Sequence, residues 1–198
     1  MHILLDKYLC EKYPLIFADR NKSMSESCMH WGLDVGNGWF YIIDNLCKTV
    51  QSHIDSHNKC VDSEYDWAVK IGKIKQVVAL QVKEKFSGLR FYYSGGDERI
   101  RGMFDLAESL SYDICEDCGI LDDTVGRNSK GWIVTTCKKH SKNKKDFKFN
   151  SDEKLNKIWE TIRKNEKKTS KTKVQGDMDA LDLMIGKQSK ESKKHWKI

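Results

Sequence analysis

Four residues of this chain have the types and spacing of metal ligands: Cys115 and Cys118, then, after eighteen intervening residues, Cys137 and His140. Two thiols separated by two residues can grip one ion from a tight turn, and Gly119, directly after Cys118, relieves the backbone of that turn. The second pair closes the tetrahedron, so the pattern predicts one zinc ion with a full shell of nitrogen and sulfur ligands. A full shell leaves no position for an activated water, which makes the site structural. Buried thiols beside a surface histidine would match the residue types, but not two pairs of this form at a ribbon-like separation. A Cys3His site carries a net charge of about −1, and Arg127, Lys130, Lys138 and Lys139 are close in sequence to offset it.

The other chemistry-bearing residues form weaker patterns. His53 and His57 sit four apart on one helix face, as in some zinc proteases, but Ile54 occupies the position where those sites need a glutamate. Cys28, His30, His53, His57 and Cys60 have no diagnostic spacing for a second metal. Gly32, Gly36 and Gly38 do not make the dinucleotide fingerprint, and no apolar strand precedes them. No catalytic residue is identified, and a nuclease or other hydrolase would need an acid/base pair or second metal that the sequence does not indicate.

Several elements must position these residues. Apolar residues from Leu4 to about Phe17 predict a short helix, with Pro14 near its end, and residues 18–30 read as a polar loop. The segment Trp31 to Trp39, with three glycines and two tryptophans, must turn tightly around its aromatics. Phe40, Ile43, Leu46, Cys47, Val50 and Ile54 recur at helical spacing to about His57.

A hairpin follows, with strands Lys75–Phe86 and Leu89–Ser94 joined by Ser87-Gly88, so that Phe86 faces Leu89. In that register Leu80, Val82, Phe86, Leu89, Phe91 and Tyr93 share a core face with Glu84. Gln81, Lys83, Lys85, Arg90 and Tyr92 share the other. Lys83, Lys85, Arg90 and Tyr92 are the mixture that holds phosphates and stacks a base, although an ordinary solvated sheet face has the same look.

Gly95-Gly96 ends the hairpin, and Asp97 caps a helix carrying Ile100, Met103, Phe104, Ala107 and Leu110. Between the ligand pairs, Gly131–Thr136 reads as a strand, with Cys137 opening a helix. That order is treble-clef-like, and a simple ribbon also fits. Beyond it, Asn150 and Glu153 form a capping box for a helix over about 151–167 with Leu155, Ile158, Trp159 and Ile162 on one stripe. Lys167–Lys173 is a solvated linker, and Met178, Leu181, Met184 and Ile185 suit one more short helix.

The 39% hydrophobic and 32% charged composition is that of a soluble protein, and no run approaches membrane-spanning length. The opening Met1-His-Ile-Leu-Leu-Asp-Lys meets charge too early for a signal peptide. Seven cysteines, an odd number with three assigned to metal, argue against a disulfide framework and for a reducing cytoplasm. The net charge of +6 is unevenly held: residues 1–140 carry 18 Lys and Arg against 20 Asp and Glu, and residues 141–198 carry 17 against 9. The excess positive charge therefore belongs to the tail, which suits a polyanion tether or a solubilising extension.

Four stretches carry a resemblance: Cys28–Trp39, Gln81–Tyr93, the Cys115 knuckle and Gly131–His140. In these the chain resembles a family of uncharacterised small zinc-knuckle proteins encoded by tailed phages and by bacteria carrying phage-derived genes. The family pattern often has two glycines where this chain has Ser87-Gly88. The resemblance implies a phage or prophage origin, action inside a bacterial cell and a treble-clef-like module. It brings no activity with it and does not reach the tail beyond about 145.

The expected architecture is an α+β body over 1–145, with a small antiparallel sheet packed by helices and a zinc module at about 113–142. A helical, lysine-rich extension over 146–198 follows, ordered only in part. The expected function is non-specific nucleic-acid binding, DNA or RNA, through Lys83, Lys85, Arg90, Tyr92 and the tail. The alternative is a module that inhibits or redirects a host protein, with Trp31 and Trp39 as aromatic anchors.

Overall fold

The computed structural model describes residues 1–141, 147–149, 157, 158 and 160–165. The chain divides into two compact units, Met1–Asn150 and Ser151–Ile198. The first is an α+β structure with a small mixed sheet.

Helix α1 spans Ile3–Lys12 and stops ahead of Pro14, which disfavours helical backbone in the residue before it. The stretch read as a polar loop contains two 3₁₀ turns, Ala18–Asn21 and Cys28–Trp31. They are held by the buried Asp6, whose Oδ2 accepts from Arg20 Nη2 at 2.8 Å and whose Oδ1 accepts from Leu33 N at 3.0 Å. One carboxylate thereby ties α1 to the loop and to the short strand β1, Leu33–Asp34.

Helix α2, Phe40–Asp62, buries Ile43, Leu46, Cys47, Val50 and Ile54 as its spacing predicts, and it continues past His57, which is buried too. A short helix α3, Asp66–Ile71, follows. Strands β2, Val78–Lys85, and β3, Gly88–Ser94, make the hairpin, and β1 adds to β2 in parallel, so the sheet is mixed, in the order β1-β2-β3. Helix α4, Glu98–Ser111, packs Ile100, Phe104 and Ala107 into the core, and Asp97 Oδ1 caps it by accepting from Ile100 N at 2.8 Å.

The hairpin register differs from the expected one. Glu84 faces Leu89 and Lys85 faces Gly88, so the turn is Phe86-Ser87, both left-handed at φ 54° and 66°. The reason lies at Gly88: a β-carbon there would stand 2.5 Å from the Tyr112 ring, so this glycine serves packing in the strand and not the turn. The slip amounts to two residues along the pair, which preserves the faces. Val82, Leu89 and Phe91 still point inward, whereas Lys83 pairs with Arg90 where the expected register opposed it to Tyr92. Two core assignments fail nonetheless. Phe86 is exposed at the turn, and a bulge between Ala79 and Gln81 puts Ala79 in the core and Leu80 outside.

The region that carries Cys115 to His140, with the strand after it, forms a second sheet of β4, Val125–Asn128, β5, Thr135–Cys137, and β6, Phe147–Phe149, in the order β5-β4-β6. The strand expected over Gly131–Thr136 begins later, at Thr135. Cys137 ends β5 instead of opening a helix: His140 N and Ser141 N both donate to the Cys137 carbonyl, closing a turn.

In the second unit residues 157, 158 and 160–165 are helical, within the expected 151–167 helix. The Asn150 and Glu153 capping box, Leu155, the Lys167–Lys173 linker and the Met178–Ile185 helix lie outside the described residues. Among the described residues no helix is long and apolar enough to cross a membrane.

Candidate metal centre

The four sulfur and nitrogen residues converge. Cys115 arrives just after α4, Cys118 on the same knuckle, Cys137 at the end of β5 and His140 on the turn beyond it. Cys118 Sγ lies 3.9 Å from Cys137 Sγ, and His140 Nδ1 lies 3.6 Å from Cys115 Sγ and 3.3 Å from Cys137 Sγ. All four ligand atoms fall within 4.8 Å of one another. A regular tetrahedron with zinc–sulfur bonds of about 2.3 Å and a zinc–nitrogen bond of about 2.05 Å requires S···S near ~3.8 Å and S···N near ~3.6 Å. The donor set therefore has room for one tetrahedral ion.

Local backbone supports the same reading. Gly119 is left-handed at φ 75°, and its N–H donates to the Cys115 carbonyl at 2.8 Å, which closes the knuckle. Burial pushes the Cys115 thiol up to about 12, opposed by backbone N–H groups of Cys118, Cys137 and Asp117. Burial also acts on Cys137, but the N–H groups of His140 and Lys139 and the neighbouring thiols hold it below the ordinary thiol range. A bound divalent cation overrides the penalty at Cys115, because a coordinating thiol is deprotonated outright. Cys115, Cys137 and Val125 form a small buried cluster of their own.

The knuckle is built into the body by the glycine-rich segment. Gly38 N donates to the Glu116 carbonyl at 2.6 Å, Gly36 N donates to Glu116 Oε1 at 2.9 Å, and Trp39 Nε1 donates to the Ile114 carbonyl at 3.0 Å. A β-carbon on Gly36 would sit 2.2 Å from the Glu116 carbonyl oxygen, and one on Gly38 would sit 2.1 Å from that of Cys115. These two glycines allow backbone to lie against backbone. Two further bonds reach the hairpin: Thr135 Oγ1 donates to the Ser87 carbonyl at 2.7 Å, and Trp132 Nε1 donates to Glu84 Oε2 at 3.0 Å.

The two tryptophans proposed as anchors separate. Trp39 is fully buried in the core, where its indole N–H is satisfied by the Ile114 carbonyl, so it is no exposed contact. Trp31 is 71% exposed, with the His30 ring edge-on at 5.4 Å.

On the hairpin, Lys83 and Lys85 make no ion pair among the described residues, and Tyr92 is exposed. Arg90 is engaged elsewhere. Its Nη1 lies 2.7 Å from Glu108 Oε1 and its Nη2 donates to Tyr112 Oη at 3.0 Å, which removes it from the set of available cations. Beside Lys83 on the neighbouring strand stands the exposed Asp34.

His53 and His57 lie on one face of α2 with ring centroids 6.3 Å apart, but each has a partner of its own. His53 Nε2 meets Asp97 Oδ2 at 2.9 Å, and His57 Nε2 meets the Gly72 carbonyl at 2.8 Å. Among the described residues the Cys115, Cys118, Cys137 and His140 group is the one cluster of its kind. Sequence reasoning missed Glu116, which anchors both glycines, and the Glu84–Trp132 bond. The signal for Glu116 was the glycine density of residues 32–38, which announced a close backbone approach without naming what approached. No protein-family model, curated protein or solved structure matches this chain.

Proposed function

We propose that this chain is a zinc-stabilised nucleic-acid-binding protein, acting in the cytoplasm of a bacterial cell in an accessory phage or prophage role. Zinc is the ion that best suits three thiolates and an imidazole in a closed tetrahedron, and its role is structural. The module reads as ribbon-like, since a turn and the strand β6 follow the second ligand pair where a treble clef has a helix.

The observation that carries the binding reading is the solvent face of the hairpin, where Lys83 and Lys85 stand without ion-pair partners among the described residues, near the exposed Tyr92. Such a face holds phosphates without reading sequence. The lysine-rich tail adds a sequence-independent attraction through counterion release.

The test is a salt series of DNA and RNA binding by the full chain and by the Lys83→Glu, Lys85→Glu double variant. Two lost phosphate contacts are expected to lower the slope of log affinity against log salt by about 2. Unchanged affinity and slope in the variant would overturn the hairpin as the binding face.

A second reading rests on Trp31, a large exposed aromatic suited to anchoring a protein partner, here a host protein that the chain inhibits or redirects. Binding of that kind would change little with salt.

A further inference from the structure

We infer that the nucleic acid this protein takes is single-stranded, with Phe86 at the hairpin tip stacking on an unpaired base beside Lys85, and Trp132, held by Glu84, offering a second exposed ring. The inference rests on the phosphate-binding reading of that hairpin. Phe86 is 71% exposed and Trp132 is 76% exposed, so two large aromatic rings are presented to water.

Phe86 is also held in the left-handed region at φ 54°, where a turn of this type favours asparagine or glycine. Neither local preference nor burial accounts for a phenylalanine there. Trp132 is fixed in place, because its Nε1 donates to Glu84 Oε2 at 3.0 Å. The other oxygen of the same carboxylate, Oε1, accepts from Ser87 N at 2.6 Å. One glutamate therefore positions both the turn that carries Phe86 and the exposed indole.

Charge completes the site. Lys85 Nζ lies 5.4 Å from the centre of the Phe86 ring, so a cation and an aromatic face are presented together. A base stacked on the ring would bring its phosphate within reach of the lysines, the combination by which single strands are held without sequence preference. In a duplex the base faces are already stacked on one another, so the aromatic pair gains nothing and the lysines alone make contact.

The test measures fluorescence anisotropy with the zinc-loaded full chain on oligo(dT), oligo(U) and a mixed-sequence duplex of equal length at matched salt. The variants are Trp132→Ala and Phe86→Asn, the second chosen because asparagine tolerates the left-handed turn and keeps the hairpin folded. The expected result is tighter binding of at least one single strand than of the duplex, and the two single strands distinguish DNA from RNA as its source. Each variant should lose about 5-fold or more on that strand with little change on the duplex, and Phe86→Asn should do so with an undiminished melting temperature. Equal affinity for single strands and duplex, with neither variant altering either, would overturn this inference and leave the phosphate-contact reading standing. Absence of binding to any of the three at low salt would overturn both and assign the exposed pair to a protein partner.

Discussion

Gly38 bears on the metal centre although it is no ligand. A β-carbon there would meet the Cys115 carbonyl oxygen at 2.1 Å and the Gly119 nitrogen at 2.3 Å, and both are backbone atoms of the knuckle. No rotamer change relieves such a clash, so the two segments must separate. Gly38→Ala is expected to destabilise the fold by about 1–3 kcal/mol, the usual range for volume forced into a packed site, and to weaken zinc retention. Urea unfolding with a parallel zinc-release assay checks both, and an alanine variant with unchanged midpoint would refute the packing argument. At this scale the ligands were legible because metal spacing is a local pattern. The glycines were legible as tight backbone but not as a docking surface, since their partner Glu116 lies about 80 positions away and no local rule links them. Arg90 was misjudged for the same reason: its partners Glu108 and Tyr112 come from another element.

At the scale of elements, α2 and α4 are joined where His53 meets the N-cap of α4. Burial pushes the Asp97 carboxyl up, but the hydrogen bonds from His53 and Ile100 N prevail and hold it below the usual carboxylate range. A carboxyl depressed in the folded state contributes stability above its unfolded value of about 3.9 and loses that contribution as pH falls through the folded value. Asp97→Ala is therefore expected to cost about 1–2 kcal/mol near neutral pH, with the gap from wild type closing as pH drops below about 4. Thermal melts across that range test it, and a gap that stays constant into acid would contradict the assignment. Helices α2 and α4 and the hairpin were legible because their hydrophobic patterns run over seven or more positions, whereas α3, six residues long, was not. Strands β1 and β4 were not, being two and four residues long, too short for a period to register. The hairpin register slipped because Ser87-Gly88 looks like a turn, whereas Gly88 answers to the ring of Tyr112, the residue that caps the C-terminus of α4.

The molecule joins three parts: a helix-packed sheet, a glycine-rich segment laid on the knuckle, and the four side chains placed to hold one metal ion. The uneven charge was legible by counting, with the body net negative and the last 58 residues net positive. The integration of the Cys/His cluster with the body was not, because it depends on contacts between Gly36–Trp39 and Ile114–Gly119. The central claim is that one metal ion stabilises both regions together. The most direct measurement is hydrogen exchange of the full chain before and after exhaustive chelation, with metal content determined on the starting protein. The account predicts one zinc per chain and a loss of protection on chelation in both 115–140 and 36–39, since metal binding and folding are coupled. Protein that carries no zinc as isolated, or chelation that leaves both segments protected, would contradict it.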